Sequence, residues 1–170
     1  MNSQLLERLR ALHTEIDLLS GGVAAQHSLQ CGRGCNSCCE DDLTVFEVEA
    51  ARIRAEFGGL LATERPAPAG ACAFLASDGS CRIYAARPYV CRTQGLPLRW
   101  LEEDESEEIV ELRDICPLNA GAVAPELLEE EGCWTIGPFE ERLADLQAEA
   151  DGGTLRRVPL RTLFDAGADG

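Results

Sequence analysis

The chain has 170 residues, with 30 acids against 15 bases, a formal net charge of −15 and 5% aromatic residues. That length most simply makes one domain, residues 1–170. The charge argues against nucleic acid and anionic membrane as partners, since both need clustered cations, and the absence of lysine removes Schiff-base and P-loop lysine chemistry.

The first predicted element is a helix over residues 3–20. Leu5, Leu9, Leu12, Ile16 and Leu19 form one apolar stripe, with Ser3 placed to cap the start and Ser20-Gly21-Gly22 to end it. His13 lies on this helix and receives no role. His27, four residues before the first cysteine, reads as a loop histidine. Next comes Cys31-Gly32-Arg33-Gly34-Cys35-Asn36-Ser37-Cys38-Cys39, and then the acidic link Glu40-Asp41-Asp42. Thr44 and Glu47 spell a capping box before a helix over residues 45–57, whose buried face would be Phe46, Ala50, Ile53 and Phe57. Gly58-Gly59 should stop that helix, and residues 62–71 read as a loop.

Cys72-Ala73-Phe74-Leu75 and Cys81-Arg82-Ile83-Tyr84 flank an Asp78-Gly79 turn signal, so a hairpin is expected that brings Cys72 and Cys81 together. Residues 85–92 suggest a short helical turn, interrupted by Pro88, that presents Cys91. Gly95 and Pro97 break the chain. Residues 98–101 and 109–112 should pair as a second hairpin, with the acidic run over 102–108 as its solvated tip. Cys116-Pro117 follows. A short acidic helix is expected over 125–131 and a clearer one over 139–150, with Phe139, Leu143 and Leu146 on one face. Val158, Leu160 and Phe164 should pack the tail, and its end should fray. The whole reads as an α+β fold, several helices and short hairpins around a cysteine cluster stabilised by metal.

Nine cysteines cannot all pair within one chain. No secretory leader and no membrane span are legible. A cytoplasmic setting with reduced, metal-bound thiols is therefore expected. Thiolates at this spacing are good ligands for zinc, for iron or for an iron–sulfur cluster. Packing alone does not call for four thiols in nine residues among glycines and polar neighbours. Gly32 and Gly34 allow a tight loop whose amides can face an anionic metal–thiolate centre. Cys31, Cys35 and Cys38 have the spacing for three corners of a cluster. Cys38 and Cys39 are neighbours whose side chains should diverge, which points to two centres or one polynuclear centre.

The run Cys31-x3-Cys35-x2-Cys38-Cys39, together with Cys72 and with Cys81-Arg82-Ile83-Tyr84-Ala85-Ala86-Arg87-Pro88-Tyr89-Val90-Cys91-Arg92, resembles the YkgJ-type cysteine-cluster family of zinc- or iron-chelating domains. The resemblance covers about residues 28–120, and Cys116-Pro117 is similar to the last cysteine of that family. It implies metal binding by eight cysteines: Cys31, Cys35, Cys38, Cys39, Cys72, Cys81, Cys91 and Cys116. Cys133 lies outside it and is taken as a non-ligand. Arg33, Arg82 and Arg92 each lie within two residues of a cysteine and are candidates to offset thiolate charge. For Arg87 a surface ion pair, and for Tyr84 a half-buried core position with its hydroxyl in water, weigh about evenly against a role at the cluster.

The resemblance implies no particular reaction. Relatives include flagellin lysine methylases, which are longer, so a metal- or cluster-dependent enzyme is the alternative to a metal-binding module. A metal or redox carrier that passes metal to a protein partner is the third reading, and the sequence does not name that partner. A radical S-adenosylmethionine enzyme shares the C-x3-C-x2-C spacing. It would need a strand–helix alternation that this chain lacks, and an aromatic where Ser37 stands.

Overall fold

The structure, a computed structural model, describes residues 2–32 and 34–165. It has the expected α+β character. Among the described residues, four helices, α1 (Ser3–Ala24), α2 (Glu47–Thr63), α3 (Tyr89–Thr93) and α4 (Pro138–Asp151), accompany two small sheets. One sheet pairs β1 (Thr44–Phe46) with β5 (Arg157–Pro159). The other has the order β3 (Ile109–Asp114), β2 (Leu98–Glu103), β4 (Trp134–Thr135). The chain gathers into two compact units. The first comprises Met1–Ala11, Gly32–Pro88 and Leu143–Gly170, and the second Leu12–Cys31 and Tyr89–Arg142. No helix among the described residues is long and apolar enough to cross a membrane.

Leu5, Leu9, Leu12 and Ile16 of α1 are buried as the stripe predicts, but Leu19 is exposed. The cap is Asn2, whose Oδ1 accepts the Leu5 N–H at 2.7 Å. Helix α1 also runs through Gly21-Gly22, and the Ala25 N–H reaches the Gly21 carbonyl at 3.0 Å. Glycine stops a helix by taking a left-handed conformation. These two glycines do not, so they lower helix propensity and nothing more.

The core of the first unit collects Val45, Ala50, Ile53, Leu61, Phe74 and Ile83 with Val158, Leu160, Leu163 and Phe164 of the tail. The capping box is not used. Residues 44–46 are drawn into β1, where Val45 pairs with Val158, and β1 alternation buries Val45 in place of Phe46. Helix α2 therefore starts later, with Phe46 at its cap and no side chain of its own on the free amides. A distant side chain takes that role: Gln147 of α4, fully buried, accepts the Val48 N–H on Oε1 at 2.9 Å. The Gly58-Gly59 signal appears as a kink at Phe57 (φ −125°, ψ 22°), and the helix continues to Thr63.

At the end of α4, the Asp151 carboxylate accepts the amides of Gly153, Thr154 and Arg156, the Thr154 hydroxyl and the Gln147 amide, which turns the chain toward β5. These donors, led by the Arg156 amide, hold its carboxyl well below the usual carboxylate range. A depressed folded-state pKa contributes stability above the unfolded value, and this stability fades only as pH falls through the folded one. Asp151→Ala is expected to lower the melting temperature at neutral pH and to flatten this strongly acidic part of the pH–stability profile, as followed by thermal circular dichroism.

In the second unit, β2 and β3 pair antiparallel from Leu98 opposite Asp114 to Glu103 opposite Ile109, with β2 two residues longer than expected at the tip and β3 two residues longer at the open end. Strand β4 adds parallel to β2. Trp134 is buried, stacks on Phe139 at 5.1 Å between centroids and donates its indole N–H to the Tyr89 hydroxyl at 3.0 Å. The acidic stretch over 125–131 is two 3₁₀ turns, Pro125–Leu127 and Glu130–Gly132, in place of one helix. Arg113 reaches the Pro125 carbonyl there at 2.8 Å. Helix α4 begins and ends within a residue of expectation. The tail residues Val158, Leu160 and Phe164 are buried, while residues 166–170, where fraying was expected, lie outside the described residues.

Candidate metal centre

In the first unit the loop 34–39 lies on the Asp78-Gly79 turn. Gly79 has φ +80°, and a Cβ there would come within 3.1 Å of the Gly34 carbonyl and 3.2 Å of the Asn36 side-chain amide, so the close approach needs glycine. The Cys72 N–H donates to the Cys39 carbonyl at 2.9 Å, which sets the two cysteine stretches side by side. The expected hairpin shrinks to a single bridge, Leu75 with Cys81, supported by the Ala76 N–H on the Ser80 carbonyl and the Arg82 N–H on the Phe74 carbonyl. That is enough to turn Cys81 back beside Cys72. Both thiols pack on the apolar core.

Electrostatics show how closely these sulfurs are grouped. The Cys39 thiol is pushed up to about 12, first by burial and then by the charges of Cys38, Cys72 and Cys81. Cys81 is likewise raised by burial and by Cys72, while Arg87 and Arg82 work in the opposite direction. Cys38 and Cys39 share a side-chain hydrogen bond and do not diverge. Divergence belongs to extended chain, whereas residues 37–38 are a turn, closed by the Cys39 N–H on the Asn36 carbonyl at 2.9 Å. The Cys35 amide closes the preceding turn onto the Gly32 carbonyl at 3.0 Å.

Two arginines frame this group. Arg82 donates to the Ala73 carbonyl, pairs with Glu64 at 2.9 Å and lies 5.3 Å from the Phe164 ring centroid. Arg161 clamps the loop before Cys72. It forks onto Asp41 at 2.9 and 2.7 Å and also donates to the carbonyls of Ala67 at 2.7 Å and Ala71 at 2.8 Å. The sequence reading missed Arg161, since nothing local separates it from its arginine neighbours in the tail. Arg87, for which a surface ion pair and a role at the cluster weigh about evenly on sequence alone, lies over the exposed Tyr84 ring at 4.1 Å, and its charge reaches Cys81.

In the second unit Cys31, Cys91 and Cys116 sit on three segments that meet at Asn119. The Asn119 amide donates to the Cys31 sulfur at 3.3 Å, and its backbone N–H donates to the Cys116 carbonyl at 2.8 Å. Its side chain also holds the Gly95 carbonyl, four residues after Cys91. Buried Arg92 pairs with Asp17. Arg33 lies outside the described residues. Cys133 is buried, with Arg113 at 4.0 Å from its sulfur, and burial raises its thiol pKa. His27 meets the Gly132 carbonyl through Nε2 at 2.7 Å.

A family model described as "Putative zinc- or iron-chelating domain", CxxCxxCC, matches residues 30–117, just over half of the chain. The chain belongs to this CxxCxxCC family. Neither the curated proteins nor the solved structures gave a match. The donor chemistry suits the family's description. Partly buried thiols crowded beside one another, with Cys39 and Cys81 pushed up, need a cation to hold them as thiolates, and zinc and iron both accept sulfur ligands. Among the described residues, no three His, Cys, Asp or Glu side chains are spaced to hold a metal ion as they stand. The grouped sulfurs lie near one another without forming a closed ligand shell among the described residues.

Proposed function

We propose that this CxxCxxCC protein chelates zinc or iron through the thiolates of Cys31, Cys35, Cys38, Cys39, Cys72, Cys81, Cys91 and Cys116, in two centres or an iron–sulfur equivalent. The observation that carries this reading is the closeness of Cys38, Cys72 and Cys81 to Cys39 in the first unit, where the Cys72 N–H meets the Cys39 carbonyl and the neighbouring sulfurs help push the Cys39 thiol up. Cys31, Cys91 and Cys116, on segments joined at Asn119, support a second centre. A zinc ion held by four thiolates carries a net formal charge of two negative units in an already acidic protein. Arg82 and Arg87 act on Cys81 with the sign that offsets it. The metal's part is to neutralise and crosslink the thiolates. The chain's part is to place them, partly shield them from water and set guanidinium groups nearby.

Protein purified without air is expected to carry two metal ions per chain, or one cluster of equivalent thiol demand. Brown colour with iron and acid-labile sulfide identifies a cluster; a colourless protein with zinc identifies thiolate zinc sites. A single mononuclear ion per chain overturns the two-centre reading. Cys39→Ser should lose at least one metal equivalent. Cys133→Ser should keep them all, because that thiol is buried beside Arg113 and lies outside the matched family region.

A further inference from the structure

Asn119 lies two residues past the matched family region and is fully buried. A buried side-chain amide must satisfy one acceptor oxygen and two N–H donors. Its Oδ1 accepts the Gln30 N–H at 2.7 Å. Its Nδ2 donates to the Gly95 carbonyl at 2.7 Å and to the Cys31 sulfur at 3.3 Å. The neighbours fix the orientation. A flipped amide would set its oxygen against the Gly95 carbonyl and its donors against the Gln30 N–H. The sulfur therefore faces an N–H donor. Without a sulfur acceptor that donor would be a buried orphan.

Gly95 completes the pocket. It has φ +92°, a left-handed conformation, and a Cβ there would overlap the Cys31 sulfur. The sulfur thus sits against bare backbone on one side and an amide donor on the other. An N–H donor aimed at a metal-bound sulfur lowers the energy of its lone pairs. The same amide also holds the segment that follows Cys91, and its own backbone N–H holds Cys116.

We infer that Asn119 is the positioning residue of the Cys31 ligand: its amide fixes that sulfur for metal and donates a hydrogen bond to it as a thiolate. This rests on the reading of Cys31 as a metal ligand. In cobalt-substituted protein, Asn119→Ala is expected to weaken one metal equivalent by about 10–100-fold, the range usual for loss of a group supporting a ligand. It should also move that equivalent's sulfur-to-cobalt charge-transfer band to longer wavelength and leave the other equivalent unchanged. A merely structural asparagine would not move the band. NMR of the unsubstituted protein loaded with NMR-active cadmium gives a second measurement that needs no variant. The Asn119 side-chain protons should show scalar coupling to cadmium through the hydrogen-bonded sulfur. If cobalt gives thiolate bands but Asn119→Ala leaves affinity and band energies unchanged, or if the cadmium coupling is absent, the inference falls alone. If the intact protein shows no thiolate–metal bands at all, the metal-binding reading falls and takes this one with it.

Discussion

Stripping the metal is expected to abolish amide protection around Cys72–Cys91 and to cut far-ultraviolet ellipticity, while part of α1 persists. Between α2 and α3 the first unit has little regular structure. It holds one isolated bridge, one 3₁₀ turn and a few backbone hydrogen bonds, with Arg82 and Arg161 pinning loop carbonyls. Such pieces are marginal alone. Structural zinc at thiolate sites contributes about 10–16 kcal/mol of apparent binding free energy, against a total stability of about 5–15 kcal/mol for an ordinary domain. Ligation also closes long loops in the unfolded chain. The metal term is then as large as the whole stability margin, so metal loss and unfolding should be one event.

The pH dependence separates the loaded from the empty protein. Metal binds thiolates, so acid competes with it, and the metal's stabilisation is lost as pH falls. The empty fold has the opposite sign. Burial holds the Cys39 proton up to about 12, above the ordinary thiol range, so the folded state keeps a proton that the unfolded chain releases. That contribution is present below the ordinary thiol pKa and lost as pH rises toward the folded one. Loaded protein should therefore weaken in mild acid, and any residual empty fold should weaken in alkali. Circular dichroism and amide exchange, with metal loss confirmed independently, read both. A stripped protein with unchanged protection around Cys72–Cys91 would show that the core stands without metal, and exchangeable, functional centres would then be favoured.

What the sequence made legible were features with a local cause. The apolar stripe of α1, the buried Ala50 and Ile53, the second hairpin and α4 all follow from periodicity. The thiols that share a group, Cys38 and Cys39 with Cys72 and Cys81, lie on stretches the spacing had already singled out. The failures came where a distant segment outbid a local rule. Thr44 and Glu47 spell a capping box, but pairing with β5 takes Thr44 into a strand, and Gln147 caps the helix from about a hundred residues away. Strand geometry sends Cys38 and Cys39 in opposite directions, but a local turn at 37–38 removes that premise. Gly95 read only as a break in the chain, although its left-handed backbone makes room for Cys31. Asn119 and Arg161 carry no local signal. Their roles exist only once separate stretches have closed on them.

Phe74→Ala is expected to lower the protein's affinity for metal without touching a ligand. The side chain is fully buried, 5.0 Å from the Phe164 ring between centroids, and it sits between Cys72 and Cys81 in the chain. Truncating a buried phenylalanine costs about 3–5 kcal/mol. Where the metal-free chain is mostly unfolded, that cost must come out of the binding energy, since folding and ligation are one equilibrium. At about 1.4 kcal/mol per factor of ten, the apparent affinity should fall roughly a hundredfold to a few thousandfold. Saturating metal should still restore the full number of ions per chain, because every sulfur remains. Cys39→Ser behaves differently: it lowers the number bound, and excess metal does not recover it. A surface control, Leu127→Ser at a side chain 84% exposed, should change stability by less than about 0.5 kcal/mol and leave binding alone. Metal titration in competition with a chelator, alongside thermal unfolding of the loaded forms, measures all three. Unchanged metal affinity in a Phe74→Ala protein whose fold is measurably weakened would mean that the centres form independently of the core, and the linkage argued here would be wrong.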